Sequence, residues 1–494
     1  MLAAGLLSAV PLACNKADAR AHAPLKCTAE TVEHRSGDRL RARVAVTDEG
    51  DCTFLGWYDQ VRRQSCSFQV ARDGSWHCLP DVVLKASVGY LKEDCTDELF
   101  YYPEQPCQSS AETVLQTTWH GERESSGFRQ LCSTTTRVFR KGPLSASTPT
   151  YSAEIGECTG LSADGIDWYE PGEEIPPDSF ARGELGAAHT EGRLTRATLS
   201  TRDGTLEYRE YVDVARSKCK LMRAEDGVTR CLPPNPSYSG GYADPACTEP
   251  LVMLDECAPE WSTTALVALS DECGQRYAVY KRGEPIVQSY YQAADGCRAD
   301  TSPSSLVQLY ASAGVVPADT FVEAARSVAD DDPGRLKPIF WQVEGLSGLA
   351  GWYDSELKTE CAFELADDEK LRCLPAPQGS GGLYAFTDDA CSEPAMFVIA
   401  DGCSDLPTFY RQKDGAACPP TTTVSALGEP LTFEQLPPLW QKSFDRCIPK
   451  EPFVQTPLGA LAGGPTGKAE DLLYLRVGEA LDPNLFVSAE ERIE

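Results

Sequence analysis

The sequence of 494 residues lacks any long apolar run, any Cys-x-x-Cys pair and any Gly-rich phosphate loop. These absences argue against a transmembrane helix, against zinc-ribbon and thioredoxin-type motifs, and against a P-loop nucleotide site. Histidine is scarce as well: the five copies, at least 12 residues apart, are His22, His34, His77, His120 and His189. No two of them form a local metal-binding pair, so we predict neither a metal site nor a cofactor.

Positive charge is also in short supply. The chain has 45 Lys and Arg against 74 Asp and Glu, which gives a formal net charge of −29. The electric field of so negative a protein repels phosphate groups. The net charge therefore argues against nucleic acid as a partner and against electrostatic adhesion to anionic lipid. We interpret the acidic surplus as a solvated surface. Only three Asn occur, and none begins an N-glycosylation sequon.

No catalytic signature is present. Two stretches, GLSADG at 160–165 and GLSGLAG at 345–351, approach a nucleophile elbow without matching Gly-x-Ser-x-Gly, and we interpret both as turns. A pair of carboxylates that acts on a polysaccharide would leave no motif, because it needs only a separation of about 5–10 Å in the folded protein. An extracytoplasmic enzyme of that kind is the alternative to a binding protein.

Cysteine, in contrast, is abundant, with 21 copies. Cysteines in such number persist as disulfides in an oxidising compartment, which predicts an exported protein. The run MLAAGLLSAVPLAC is short and apolar, and we interpret residues 1–13 as a signal segment and residues 14–25 as a tether. Cys14 ends a stretch, PLAC, that is similar to a bacterial lipoprotein cleavage site, in which the cysteine is acylated. The alternative is secretion, with cleavage after Ala19 or Ala23.

One stretch of the sequence recurs. Gly56–Pro80 (GWYDQVRRQSCSFQVARDGSWHCLP) and Gly351–Pro375 (GWYDSELKTECAFELADDEKLRCLP) agree at 11 of 25 positions, and Glu210–Pro233 is a more divergent third copy. Motifs downstream of these copies repeat in the same order. We therefore predict three repeat units, 26–180, 181–321 and 322–433, followed by a C-terminal closing segment, 434–494.

Each copy contains Cys-x11-Cys in an alternating pattern typical of a β-hairpin. In the first unit the pattern places Cys66 opposite Cys78, at a distance that a disulfide spans. Setting Cys14 aside leaves 20 cysteines, and local pairing predicts ten bridges: Cys66–Cys78, Cys95–Cys107, Cys132–Cys158, Cys219–Cys231, Cys247–Cys257, Cys273–Cys297, Cys361–Cys373, Cys391–Cys403, Cys418–Cys447 and Cys27–Cys52. A bridge from Cys27 to Cys447, which would clasp the two ends of the chain, is the alternative for the last of these.

The predicted fold class is all-β. Each unit offers about eight strand-like segments, enough for two four-stranded sheets, so three units would supply the six sheets of a six-bladed β-propeller. Three consecutive small, disulfide-rich β domains are the alternative. One segment, Asp319–Asp331, has the composition of a helix.

Three acids recur at the end of the same strand-like segment: Asp59, Asp213 and Asp354. If they face a common axis, they could bind a cation or a polar ligand. The competing interpretation is that each caps the turn after its strand by hydrogen bonds from its side chain to the backbone. The sequence alone leaves both interpretations open.

The repeated GWYD motif, the Cys-x11-Cys-Leu-Pro that follows it and the cysteine-bearing export segment together resemble uncharacterised Cys-rich repeat lipoproteins of Gram-negative, myxobacterial-type bacteria. The resemblance covers nearly the whole mature chain and implies no assigned activity. We expect an exported cell-envelope binding or scaffolding protein, in the outer membrane, in the periplasm or at the cell surface, or secreted. Its expected partner is an envelope protein or glycan, its only membrane contact is a lipid anchor, and it is expected to be a monomer.

Overall fold

The computed structural model of the chain is built from β-strands and short 3-10 turns, with no α-helix in the part that it describes. The all-β prediction is therefore confirmed. The described residues are 34–81, 84–101, 113–120, 133–154, 157–160, 167–213, 217–233, 236–237, 241–255, 264–271, 274–293, 296–300, 307–329, 333–376, 384–399, 406–414, 419–432, 435, 438–443, 446–450 and 472–494. The predicted signal segment, the tether, Cys14 and Cys27 lie outside them.

The first repeat contributes two groups of strands. The first group is β1 (His34–Arg35), β2 (Leu40–Thr47), β3 (Cys52–Asp59), β4 (Gln64–Val70) and β5 (Trp76–Pro80). The second group is β6 (Leu84–Lys85), β7 (Ser87–Tyr90), β8 (Glu98–Tyr101), β9 (Thr113–His120), β10 (Ser133–Leu144), β11 (Tyr151–Glu154), β12 (Glu157–Gly160) and β13 (Trp168–Ile175). A 3-10 turn at Pro177–Ser179 ends the repeat.

The second repeat follows the same plan. Its first group is β14 (Arg182–Glu191), β15 (Leu194–Thr201), β16 (Leu206–Asp213), β17 (Ser217–Arg223) and β18 (Thr229–Leu232). Its second group is β19 (Pro236–Ser237), β20 (Gly241–Tyr242), β21 (Leu251–Asp255), β22 (Thr264–Asp271), β23 (Gly274–Pro285), β24 (Tyr290–Ala293), β25 (Gly296–Ala299) and β26 (Val307–Val316). The corresponding 3-10 turn is Ala318–Thr320.

The third repeat, together with the predicted closing segment 434–494, completes the chain. Its first group is β27 (Ala325–Val328), β28 (Leu336–Val343), β29 (Leu346–Asp354), β30 (Thr359–Leu365) and β31 (Leu371–Pro375). Its second group is β32 (Tyr384–Phe386), β33 (Pro394–Ile399), β34 (Phe409–Asp414), β35 (Thr421–Thr432), β36 (Leu439–Ser443), β37 (Arg446–Lys450) and β38 (Leu472–Ala480). A 3-10 turn at Pro483–Leu485 then leads to the last strand, β39 (Ser488–Ile493).

Hydrogen bonding sorts these groups into two kinds of sheet. The first groups of all three repeats, together with β39, form one 16-stranded sheet, which we call the ring. The second groups form separate sheets of eight strands in the first repeat, five and three in the second, and seven in the third, which we call the outer sheets. The six-bladed propeller is not confirmed, because a count of strands per repeat cannot tell separate blades from strands that pair across repeats.

The ring closes on itself. Equivalent backbone hydrogen bonds of 2.9 Å connect the last ring strand of each repeat to the chain that leads into the ring strand beside it. The N–H groups of Cys78, Cys231 and Cys373 donate to the carbonyls of Ala181, Val322 and Val487, respectively. The third of these joins β31 to β39, and β39 then pairs with β2 along five residue pairs. The C-terminal strand β39 therefore lies beside β2 of the first repeat, just as β14 lies beside β15 in the second repeat and β27 beside β28 in the third. Nearly the whole length of the chain lies between β2 and β39.

The hairpin bridges Cys66–Cys78, Cys219–Cys231 and Cys361–Cys373 are confirmed, with Cα–Cα distances of 5.3, 5.2 and 5.1 Å. The predicted register is wrong by two residues, because Phe68, not Cys66, lies directly opposite Cys78. The turn is centred one residue later than expected, since the Ala71 N–H donates to the Ser75 carbonyl. Each bridge therefore joins diagonal neighbours on one face of the hairpin, where it is part of the buried core.

The six other bridges predicted within the repeats are wrong, whereas Cys27–Cys52 stays a prediction because Cys27 lies outside the described residues. The structure has longer bridges at equivalent places in the three repeats: Cys95–Cys158, Cys247–Cys297 and Cys391–Cys447. These replace Cys95–Cys107, Cys132–Cys158, Cys247–Cys257, Cys273–Cys297, Cys391–Cys403, Cys418–Cys447 and the alternative Cys27–Cys447. Strand pairing brings together cysteines that are far apart in sequence, and nearest-neighbour pairing cannot anticipate it. Cys52 is buried in β3, whereas Cys107, Cys132, Cys257, Cys273, Cys403 and Cys418 lie outside the described residues.

The helix predicted over Asp319–Asp331 is also wrong. Within the described part of that segment, only the residues of the 3-10 turn Ala318–Thr320 have helical geometry, and Ala325–Val328 is the strand β27. This strand pairs with β28 along four residues, so the hydrogen bonds of the ring override a local composition that favours a helix.

Candidate functional site: three arginine–aspartate joints

The first of the three repeated acids, Asp59, ends β3 and is 1% exposed. The Arg39 guanidinium binds it with two nitrogens, Nε at 3.1 Å from Oδ1 and Nη2 at 2.8 Å from Oδ2. The backbone N–H groups of Val61 and Arg62 donate to the same carboxylate, at 2.9 and 3.2 Å. Asp59 therefore caps the turn after its strand, and its charge is neutralised by arginine.

The other two repeats build the same joint. Arg193 donates through Nε to Asp213 Oδ1 at 2.9 Å, and Arg335 donates through Nε to Asp354 Oδ1 at 2.9 Å. Asp354 also accepts the N–H groups that follow its strand, just as Asp59 does. The hydrogen bonds that the guanidiniums donate to the two aspartates raise the pKa of Arg193 and of Arg335 above the usual arginine range.

Each of these arginines also reaches the end of its own repeat. A second bond runs from the guanidinium to a carbonyl at the 3-10 turn: from Arg39 to Ser179 at 2.8 Å, from Arg193 to Thr320 at 2.7 Å and from Arg335 to Leu485 at 2.6 Å. The joint therefore ties the beginning of a repeat to the point where the chain leaves its outer sheet. Charge-assisted bonds of this kind fix geometry strongly.

A second acid links each joint to the neighbouring repeat. Carboxylates in equivalent turns accept backbone N–H groups at the arginines: Asp203 from Arg39 at 2.7 Å, Glu344 from Arg193 at 2.8 Å and Glu49 from Arg335 at 3.2 Å. The second repeat thus binds the first, the third binds the second, and the first binds the third. A head-to-tail contact that closes after three steps is the signature of cyclic symmetry, realised here within one chain.

Asp203 is the acid with the clearest electrostatic signature. Its partial burial opposes ionisation, but hydrogen bonds from the Thr201 hydroxyl and from the N–H groups of Leu40 and Arg39 outweigh that effect. They lower the pKa of Asp203 to about 2. The charged carboxylate is thus the form that the folded joint stabilises.

Two tryptophans strengthen the same contacts between repeats. Trp57 and Trp352 are almost fully buried, and their indole N–H groups donate across the joint, to Glu207 Oε2 and to Thr53 Oγ1, both at 2.6 Å. Trp57 and Trp352 occupy equivalent positions, as do their acceptors in the next repeat. The repeated GWYD motif is therefore a device for joining repeats, with tryptophan and aspartate each contributing one contact.

This arrangement has the chemistry of a structural joint. The three repeated carboxylates are at most 1% exposed, and each is bound by a guanidinium. In the described part of the chain, no group of three or more His, Cys, Asp or Glu side chains could hold a metal ion. A nearby cleft lined by Arg72, Arg137 and Glu174 is closed by their own ion pairs and has no room for a small substrate.

The sequence analysis missed the arginines of the joint, although a signal was available. The dipeptide Arg-Leu occurs before the second ring strand in every repeat, at Arg39, Arg193 and Arg335, 20, 20 and 19 residues ahead of the aspartate. A search for charged residues at a nearly constant distance before the repeated acid would have found them.

Comparison with known proteins adds a family and no activity. Where the structure describes the chain, it contains no helix with the length and apolar character needed to cross a membrane. No curated protein and no solved structure matches the sequence. The model of a family of unknown function, DUF7481, matches residues 25–461, so the chain belongs to that family.

Proposed function

We propose that this protein is a cell-envelope binding or scaffolding protein that holds the outer sheets of its three repeats in a fixed array around a closed ring. The disulfide content indicates an exported protein. The observation that carries the proposal is the cyclic set of joints. These joints hold the repeats in a defined arrangement. Their carboxylates are buried in ion pairs with arginine and are therefore not exposed to a substrate.

The outer sheets present one loop three times. Its cysteine has a positive φ of 52–53° in each copy and is bridged to the adjacent strand: Cys95, Cys247 and Cys391. An aspartate precedes each cysteine, by one residue in the first loop and by three residues in the other two, where the first loop has Lys92 instead. Each aspartate accepts hydrogen bonds within its loop, from Thr96, Glu249 and Ser392 among others. These bonds lower the pKa of Asp94, Asp244 and Asp388. Cyclic closure implies that the three loops lie around one end of the ring.

An array of three similar loops suits a ligand that repeats. An envelope glycan offers the same chemical unit many times, so three weak contacts held by a rigid ring would act together. Linked sites of this kind can exceed the affinity of one site by about 100-fold or more without any new contact. We therefore favour a repeating glycan over a single protein partner.

Binding is tested by sedimentation of the disulfide-intact protein with purified cell-wall glycan, together with calorimetric titration of short glycan fragments. We expect co-sedimentation and three fragment sites per chain. The Asp94→Ala variant should leave two sites and weaken polymer binding by about tenfold, whereas Asp178→Ala, an exposed acid outside the loops, serves as the matched control.

Two results would contradict the proposal. One is a failure to bind any envelope glycan, together with an Asp94→Ala variant that behaves like the control. The other is the release of new reducing ends from the glycan, which would favour the enzyme with paired carboxylates.

We also propose that Cys14 is acylated and anchors the protein to the outer membrane. The motif PLAC and the oxidising compartment support this assignment. Labelled palmitate should enter the protein in cells, and Cys14→Ser should abolish the labelling and release the protein from the membrane fraction. Soluble wild-type protein with a free N-terminus at Arg20 or Pro24 would support secretion instead.

A further inference from the structure

The disulfides of the described residues fall into two sets of three. The hairpin set is Cys66–Cys78, Cys219–Cys231 and Cys361–Cys373, and the loop set is Cys95–Cys158, Cys247–Cys297 and Cys391–Cys447. Every cysteine of the hairpin set is at most 4% exposed and belongs to a hydrophobic cluster of the ring. Every cysteine of the loop set is partly exposed. A reagent in solution can therefore reach the loop set while the hairpin set is shielded.

A hairpin bridge becomes accessible only when the ring opens. The N–H groups of Cys78, Cys231 and Cys373 donate the backbone hydrogen bonds that connect one repeat to the next. The sulfurs also pack in clusters that two repeats share; Cys66 and Cys78, for example, lie in one cluster with Leu199 of the second repeat. Exposing these sulfurs would break a joint, which happens only in rare openings of a large part of the fold.

Each loop bridge fastens a tight turn to a neighbouring two-stranded hairpin. In the first repeat, the Cys95 N–H donates to the Lys92 carbonyl at 3.0 Å, and Cys158 Sγ on β12 lies 3.6 Å from the same oxygen. The other two loops repeat both contacts, through Asp244 with Cys247 and Cys297, and through Asp388 with Cys391 and Cys447. The residues on both sides of each loop cysteine are exposed, so the turn leaves its bridge open to attack from solvent.

The loop cysteines also hold their backbone in the left-handed region. The φ angle is 52° at Cys95 and 53° at Cys247 and Cys391, whereas none of the hairpin cysteines has a positive φ. Residues with a Cβ seldom adopt this conformation, because it brings the Cβ too close to the following carbonyl. Opening the bridge frees the turn to relax. Exposed and strained disulfides are the ones that thiols reduce most readily.

We propose that the loop set is a redox-sensitive latch, which a dithiol opens while the hairpin set stays closed. A thiolate of the dithiol attacks one sulfur of the bridge, forms a mixed disulfide and releases the other cysteine as a thiolate that takes up a proton. The second thiol of the reductant then displaces the remaining cysteine. The bridge gains two electrons and two protons, and the dithiol becomes a disulfide. Exchange with a small disulfide reverses the reaction.

Opening the latch separates each turn from its hairpin and leaves the ring joined. Because these turns belong to the loops that we propose to bind glycan, reduction should weaken glycan binding, and this consequence rests on the proposed function. The latch itself does not. Its thiol and amide readouts use no glycan, so a failure of the latch and a failure of the proposed function are distinguishable.

Thiol trapping tests the latch in the intact protein, with dithiothreitol as the dithiol. The protein is reduced under native conditions and alkylated at intervals, and the cysteines of the six bridges are followed by mass spectrometry. The loop set should be alkylated at least about 100-fold faster than the hairpin set. In concentrated urea, the matched control, both sets should react at similar rates. Equal rates under native conditions, or no alkylation of the loop set until the ring unfolds, would overturn the proposal.

Hydrogen exchange shows whether the bridge holds the turn. After native reduction, protection of the Cys95, Cys247 and Cys391 amides should fall about tenfold or more, while the hairpin amides stay protected; oxidised glutathione should restore it. The double variant Cys95→Ser, Cys158→Ser should loosen the first loop without dithiol, and the other two loops should still respond to dithiol. Undiminished protection in reduced loops would overturn the proposal. If the variant does not fold, the unaltered protein decides the question.

Discussion

The ring and the outer sheets meet different physical constraints within one chain. The three ring sections keep the same order of strands, the same hairpin disulfide and the same arginine–aspartate joint. The outer sheets differ in strand number, from eight to seven to five and three. Repetition is strictest where repeats must fit one another, because every ring section meets two neighbours. The outer sheets are where each repeat can acquire its own binding properties.

The largest expected effect comes from opening the ring. Deleting Val487–Glu494 removes β39 and leaves the pairing edges of β2 and β31 exposed. We expect the loss of cooperative unfolding of all three ring sections, equivalent to more than about 5 kcal/mol, since an entire domain is stable by only about 5–15 kcal/mol. Calorimetry would show it, and removal of Glu494 alone is the control. A truncated protein with an unchanged melting transition would mean that the ring does not depend on β39.

Removing disulfides contrasts the two regions. The bridge Cys95–Cys158 spans 63 residues and Cys66–Cys78 spans 12. The chain-entropy model gives about 4 kcal/mol for the first and about 3 kcal/mol for the second. Replacing both cysteines of a bridge by serine should nevertheless affect different parts of the molecule. Loss of Cys66–Cys78 should lower the temperature of the main unfolding transition, and loss of Cys95–Cys158 should loosen only its own outer sheet. Melting combined with hydrogen exchange distinguishes the two, and identical exchange patterns would contradict the separation.

These regions also differ in what the sequence could predict. The hairpin bridges follow from a local pattern, in which Cys66 and Cys78 flank one turn, and the pattern fails only on the register of that turn. Cys95 finds Cys158 through the pairing of β7 with β8 and β11, which no local spacing encodes. The closing strand is still less visible, since SAEERI reads as a polar segment and becomes a strand only because β2 and β31 offer partners on both sides.

The role of the candidate site, like the long disulfides, could not be predicted from local sequence patterns. The repeated motif draws attention to Asp59, Asp213 and Asp354. Their role depends on an arginine about 20 residues earlier in the sequence, and only the hydrogen bonds of the folded protein show that the two residues are partners. The burial that separates a joint from a binding site is a property of the assembled ring.

A smaller effect is expected at one joint, where the same arginine makes a buried and an exposed pair. Arg335 binds Asp354, which is fully buried, and Glu356, whose side chain is 68% exposed. Asp354→Asn should cost about 3 kcal/mol, because it leaves a guanidinium in the joint without its counter-charge. Glu356→Gln, the matched control, should cost less than about 1 kcal/mol. Urea unfolding measures both, and equal losses would place Asp354 outside the joint.

The smallest effect concerns acid. The pKa of Asp203 falls from 3.8 to about 2 on folding, so the folded state binds its proton less readily than the unfolded state. The stability from this group is present above about pH 4 and is lost as pH falls toward 2; after screening it is worth about 1 kcal/mol. Asp203→Asn should flatten that part of the acid-unfolding curve, whereas Asp178→Asn should not. A curve unchanged by Asp203→Asn would contradict the assignment.

Closure of the ring is tested most directly by joining β2 to β39 chemically. The Arg43 Nε lies 2.7 Å from Glu491 Oε1, across a sequence separation of 448 residues. In the Arg43→Lys variant, a carbodiimide should form an isopeptide bond between the new amine and the Glu491 carboxylate, recovered by mass spectrometry from monomeric protein and absent when Glu491→Gln is added. The closed ring predicts this intramolecular product. Its absence, or its appearance only in cross-linked dimers, would show that the C-terminal strand does not close the ring of its own chain.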